Sequence, residues 1–172
     1  MNAADSDKVA DDSPPARPAP RRAGLGSARS ARRRARELAL QALYGWVVSG
    51  GESGEIAARF RASPGYALAD ETYFLELLSG AIASAQSLRE HIAGAIDRRV
   101  DELSPVEHSI LLIATFELVQ RPEIPYRVVI NEAVELAKNF GATEGYRYVN
   151  GVLDKLAGRL RAEEAARAPE AR

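Results

Sequence analysis

Eight arginines and no acidic residue lie between Arg17 and Arg36, and five of them, Arg29, Arg32, Arg33, Arg34 and Arg36, crowd the end of that stretch. A guanidinium is a planar, permanently charged fork that grips phosphate through two hydrogen bonds and stacks on bases. A polycation of this kind binds nucleic acid largely by releasing condensed counterions. The formal net charge of −1 hides it, because the first sixteen residues sum to −3 and everything after Arg36 to −6. A charge run also serves as a plain solvated face. Helix electrostatics tilts the choice: if the run opens a helix, the macrodipole disfavours cations there and welcomes an anion such as phosphate.

A second constellation, Phe140, Tyr146, Arg147, Tyr148 and Asn150, gathers where two helical patterns meet. Two readings stand. Phe140 plugs the core and the tyrosines cover its edge, or the aromatic faces stack unpaired bases while Arg147 and Asn150 meet phosphates and base edges. Aromatics beside arginine suit single strands better than a duplex, for which a helix-turn-helix with short polar readers is the expectation and none is found.

Other chemistry is poorly represented. His91 and His108 are the only histidines, neither has a metal-spaced neighbour, and there are no cysteines, so thiolate metal sites, disulfides and cysteine nucleophiles are excluded. Acidic pairs such as Asp101-Glu102 and Glu163-Glu164 fit ion pairing and solvation. Glycine-rich phosphate loops and a nucleophile elbow are missing. The expectation is a non-enzyme without cofactor or metal.

The elements that position these groups read as helices. With 172 residues, 46% apolar and 27% charged, the chain has globular composition and room for one domain or two small lobes. No apolar run approaches the length of a bilayer span, and a cysteine-free chain is compatible with the cytoplasm. Residues 1 to 28 hold Pro14, Pro15, Pro18 and Pro20 and few large apolar side chains, which predicts a disordered leader. Residues 162 to 172 are expected to fray. The domain between them spans 29 to 161.

Its first helix is expected over about Arg29 to Ser49, with Leu38, Ala39, Ala42, Leu43, Trp46 and Val47 on one stripe and Gly50-Gly51 as its stop. A short helix near Gly54 to Ala62 precedes the Ser63-Pro64-Gly65 break. From Asp70, Phe74, Leu77, Leu78, Ala81, Ile82, Ala85 and Leu88 recur at helical spacing, with a bend or break near Ser84 to Ser87 and an end at Ile96. Ser104-Pro105-Val106-Glu107 is a capping box with proline in the first turn. The helix it opens is apolar around most of its circumference, as a central helix must be. Val129, Ala133, Leu136, Ala137 and Phe140 stripe the next helix, with Gly141 as its terminator, although Val128-Val129-Ile130 alone also suits a strand. Val149, Val152, Leu153, Leu156 and Leu160 define the last, with a cap near Thr143. Six or seven helices in an all-α bundle follow.

Several of these segments, in this order, resemble the NusB family of bacterial transcription antitermination factors. Arg32-Arg33-Arg34-Ala35-Arg36-Glu37 followed by Ala39 to Tyr44 is similar to the family's opening. Pro125-Tyr126-Arg127-Val128, Ile130-Asn131-Glu132-Ala133 and Glu135-Leu136-Ala137-Lys138 resemble its penultimate helix, and Phe140-Gly141-Ala142 leads to Tyr148-Val149-Asn150-Gly151-Val152-Leu153-Asp154-Lys155. The resemblance, from about Arg32 to Leu160, implies two packed three-helix lobes without catalytic activity. It implies binding of boxA-type single-stranded nascent RNA together with the ribosomal protein NusE. Within the RNA polymerase antitermination complex, that promotes read-through in ribosomal RNA operons.

By position, Arg32, Arg33, Arg34 and Arg36 match the family's basic RNA-binding motif, and Phe140, Arg147 and Tyr148 match the junction that meets bases and backbone. Tyr44, Asp101 and Glu107 fall where the family meets its ribosomal partner. Glu107 thus carries two readings, cap and contact. A homodimer is a further partner state, and a membrane is not among the partners. The longer basic leader, with Arg17, Arg21, Arg22 and Arg29, departs from the family's usual start. The alternative reading is a non-catalytic protein interaction scaffold whose basic segment only solubilises it.

Overall fold

The computed structural model describes residues 25–167; most of the expected leader and the last five residues lie outside them. Among the described residues the chain forms α1 (Leu25–Ser49), α2 (Ser53–Phe60), α3 (Glu71–Ala83), α4 (Ala85–Ala93), α5 (Pro105–Gln120), α6 (Tyr126–Phe140), α7 (Gly145–Leu160) and α8 (Ala162–Arg167), with 3-10 turns at Tyr66–Leu68 and Val100–Glu102 and no strand. The fold is all-α. α1, α2 and α3 make one lobe and α5, α6 and α7 the other, and α5 packs on both as well as on α4.

The pivot is α5. Every residue from His108 to Leu118 is buried, and each large apolar side chain among them contributes about 1.5–3 kcal/mol by leaving water. Its start is the expected capping box: Ser104 Oγ accepts from the Glu107 amide at 3.2 Å, and Glu107 Oε2 accepts from the Ser104 amide at 3.4 Å. α3 is capped by Asp70, whose Oδ1 accepts from the Tyr73 amide at 3.0 Å. Of the expected bend or break after α3, the chain takes the break, at Ser84.

Three expectations are corrected. α1 already runs at Leu25, so Arg32 to Arg36 lie beyond its first turn, where the dipole has faded. Ala162–Arg167, expected to fray, is helical, held by the preceding Arg161 and by Glu164. Thr143 does not cap α7; Glu144 precedes that helix in the left-handed region at φ 68°, a costly conformation for a residue with a Cβ. Gly141 ends α6 as expected, at φ −88°, so it needs no left-handed backbone. Glycine matters there for another reason: a Cβ on it would sit 2.6 Å from the Ala137 carbonyl oxygen. Gly141→Ala is therefore expected to destabilise the fold by about 1–3 kcal/mol, read as a lowered midpoint in a circular dichroism melt; an unchanged midpoint would contradict the close approach.

Candidate nucleic-acid interface

The α1 arginines divide by their phase on the helix. Arg36 falls in register with Ala39, Leu40 and Leu43, and like them it is buried, at 5% exposure. Its Nε donates to Glu117 Oε1 at 2.9 Å, and its Nη2 lies 2.8 Å from the same oxygen. The Tyr73 hydroxyl also donates to Glu117. Burial, and then the Glu117 charge, push that hydroxyl well above the usual phenol range, so it stays a donor. Arg36, expected on the RNA face, is committed to the core, because two buried charges satisfied by each other cannot open to an outside phosphate without stranding one of them.

Arg32, Arg33 and Arg34 remain at the surface, their side chains 43–46% exposed. Each has a carboxylate neighbour. Arg32 Nε lies 3.9 Å from Asp70, with its guanidinium over the Tyr73 ring at 4.9 Å. Arg33 donates to both oxygens of Glu132, at 3.2 and 3.4 Å. Arg34 Nη1 donates to Glu37 at 2.8 Å. The Arg32 and Arg34 pairs, open to solvent, hold little energy, whereas Arg33 answers the Glu132 carboxylate, which is only 5% exposed; a guanidinium has five donors. These contacts therefore orient the three forks while leaving donors for a phosphate.

At the other constellation Phe140 closes α6 with its ring 40% exposed. Tyr146 is half-buried and flanked by two cations, with Lys138 Nζ at 5.3 Å and the Arg147 guanidinium at 5.8 Å from its ring centre. Arg147 Nε is 2.7 Å from Glu144 Oε2. Tyr148 divides between its two readings: its hydroxyl is shut off from solvent beside Asp97, while the Arg98 guanidinium lies 4.4 Å from its ring centre.

α6 joins the two constellations. A shallow groove of about 350 Å³ is lined by Arg29, Arg33, Asn131, Glu132, Glu135 and Lys138, and Lys138 reaches on to Tyr146. Cations thus run from α1 across α6 to the start of α7, interleaved with Glu132 and Glu135. Lys138, Glu132, Asn131 and Arg98 were not singled out by sequence reasoning. Glu132 had a signal: it shares a stripe with Val129 and Leu136, and a carboxylate in an apolar stripe requires a cation.

Of the three partner positions, Glu107 borders the track, its Oε1 within 3.7 Å of where a Cβ on Gly145 would sit at the start of α7. Tyr44 is 45% exposed, one helical turn before Val48, another exposed apolar residue. Asp101 receives a two-pronged contact from Arg99 at 2.8 and 2.6 Å. Glu107 serves as a cap. A neighbouring groove of about 650 Å³ is lined by Val47, Arg89, Asp101, Leu103 and His108 among others. Burial, and then the Arg89 charge, push His108 down to about 4, so the neutral imidazole accepts from Arg89 Nε at 3.2 Å.

Among the described residues no cluster of His, Asp and Glu is arranged to hold a metal ion, and no helix is long and apolar enough to cross a membrane. Comparison with known proteins points one way. Residues 33–158 match the model of the NusB family. Several transcription antitermination proteins NusB are similar over about four fifths of the chain. That of Paraburkholderia phymatum is 54% identical over 136 residues, covering 79% of this chain and 94% of the relative. That of Bordetella pertussis is 54% identical over 147 residues, covering 83% and 96%. That of Burkholderia cenocepacia is 56% identical over 136 residues, covering 79% and 94%. The solved structure of T. maritima NusB superposes with a TM-score of 0.64 at 26% identity, over 78% of this chain and 96% of that one.

Proposed function

The chain belongs to the NusB family, and from that membership we propose that it is a non-catalytic transcription antitermination factor. In this reading it binds a boxA-type single-stranded stretch of nascent RNA together with the ribosomal protein NusE. It works in the cytoplasm within the RNA polymerase antitermination complex and favours read-through in ribosomal RNA operons. The observation that carries the reading is the cationic track. Arg32, Arg33 and Arg34 on α1, Lys138 on α6 and Arg147 on α7 supply phosphate donors, and Tyr146 and Phe140 supply aromatic surface beside them. Such alternation suits a flexible strand, whose phosphates follow the cations while bases turn onto rings.

The ribosomal partner meets Tyr44, Asp101 and Glu107. Glu107 Oε2 is used in the cap, so contact with a partner falls to Oε1. Because the track's cations are interleaved with carboxylates, RNA affinity of the chain alone is modest and rises when the partner adds surface.

Titration of the chain with a boxA-like strand and a scrambled strand, at two salt concentrations and with or without NusE, tests this. Arg33→Ala is expected to weaken RNA binding and to reduce the slope of log affinity against log salt by roughly 0.7–1, with the helical circular dichroism signal unchanged. An unaltered slope would remove Arg33 from the phosphate path. Indifference to both strands, even beside NusE, would leave the scaffold reading in its place.

A further inference from the structure

We infer that the polar groove between α6 and α7 seats one unpaired nucleobase that carries an exocyclic amino group. The inference rests on the RNA reading above and specifies one subsite of it. The groove encloses about 360 Å³ and is lined by Tyr126, Arg127, Ile130, Asn131, Asn150 and Asp154. Asn131 lines both this groove and the adjoining one that holds Arg33 and Lys138. A strand whose phosphates follow those cations therefore passes its mouth.

What enters is decided by charge and by hydrogen-bonding sense. Asp154 repels a phosphate at the α7 wall, whereas an aromatic amine is an N–H donor that a carboxylate accepts. Asn150 is oriented by Asp154: its Nδ2 donates to Asp154 Oδ2 at 3.2 Å, which leaves Asn150 Oδ1 as a second acceptor. Ile130 gives a buried apolar floor. Tyr126 gives a ring edge, steadied by Arg127 Nε donating to its hydroxyl at 3.2 Å. Asn131, exposed at the mouth, presents a donor and an acceptor together. The α7 wall, where Asp154 and Asn150 Oδ1 present acceptors opposite the donors of Arg127, matches cytosine, adenine or guanine, each of which offers an amino group, better than uracil, which offers carbonyls in that place.

Cytosine and uracil are of one size and differ chiefly in that group, which makes them the discriminating pair. The experiment measures, by fluorescence anisotropy at neutral pH, the affinity of the full chain for oligocytidylate and oligouridylate of equal length, alone and with Arg33→Ala, Asn150→Ala and Asp154→Asn. The parent chain is expected to favour oligocytidylate about fivefold. Asn150→Ala and Asp154→Asn bring the ratio towards one, whereas Arg33→Ala weakens both strands and leaves the ratio in place. A parent without preference, or a ratio that neither groove variant moves, overturns the base seat while RNA binding itself stands. A parent that binds neither strand overturns the RNA reading and the base seat with it. Melting curves of the two groove variants confirm that they are folded, as expected for side chains on an outer helix face.

Discussion

Arg161→Met is expected to lower the thermal midpoint by roughly 10 °C. The guanidinium of Arg161, only 9% exposed, is spent on the end of α5. Its Nε donates to the Leu118 carbonyl at 2.7 Å, and its Nη2 to those of Arg121 at 2.9 Å and Glu117 at 3.3 Å. Its Nη1 donates to the Ile124 carbonyl at 3.1 Å and to Glu164 Oε2 at 2.6 Å. The last carbonyls of any helix lack partners within it, and here they point inward, where water does not easily replace a lost donor. Methionine matches the stem and supplies no donor. The Glu117 and Arg121 carbonyls also accept from the Arg121 and Ile124 amides, so Leu118 and Ile124 are the carbonyls stranded, each at about 1–3 kcal/mol less what relaxation recovers, and Glu164 loses its cation. A net loss of about 3–5 kcal/mol is the expectation, at about 2–4 °C per kcal/mol for a chain of this size. Arg161→Lys keeps three donors at one point and is expected to recover only part of it. A midpoint within a degree or two of the parent for Arg161→Met would show that these carbonyls find other partners.

Glu117→Ala is expected to cost a similar amount by the opposite route. It leaves Arg36 buried without its carboxylate, which typically costs about 3–5 kcal/mol. Replacing both by methionine removes the stranded charge and returns a volume-matched apolar contact, so the Arg36→Met/Glu117→Met double variant is expected to be more stable than Glu117→Ala in urea denaturation. A double variant no better than the single one would mean that the rest of the network, Tyr73 above all, depends on the carboxylate. The same pair of substitutions separates the arginines by role. Since Arg36 does not reach the surface track, the double variant is expected to keep the parent's salt slope for RNA, in contrast to Arg33→Ala.

Much of this architecture is legible in the residues. Ser104-Pro105-Val106-Glu107 starts a helix because serine and glutamate satisfy each other's amides, and the even apolarity of the segment after it admits only a central position. The α6 stripe overrides the strand propensity of Val128-Val129-Ile130 because a long run of helical spacing has a face to bury. The arginine run was harder to read. Charge treats Arg33 and Arg36 alike, while helical phase separates them: Arg36 shares the stripe of Leu40 and Leu43. Glu117 carries a comparable mark, as an acid in a helix apolar on all sides.

What stayed hidden is pairing across the fold. Nothing local says that Arg36 of α1 meets Glu117 of α5, that Arg98 lies over Tyr148, or that Arg161, one arginine among many near the end, is sunk among main-chain oxygens. The candidate site followed the same rule. Its two ends were visible as clusters, but the bridge between them depends on which face α6 turns outward and thus on packing.

The Arg161 clasp also dictates an order of events during synthesis. Its carbonyl partner on Leu118 was made 43 residues earlier, and Glu164 fixes the opening of α6 by accepting from the Tyr126 amide at 2.9 Å. While the ribosome still shields that terminal stretch in its exit tunnel, the middle of the protein has been translated but not locked. Release of the segment that carries Arg161 and Glu164, rather than emergence of the apolar helices alone, is the step expected to lock the second lobe.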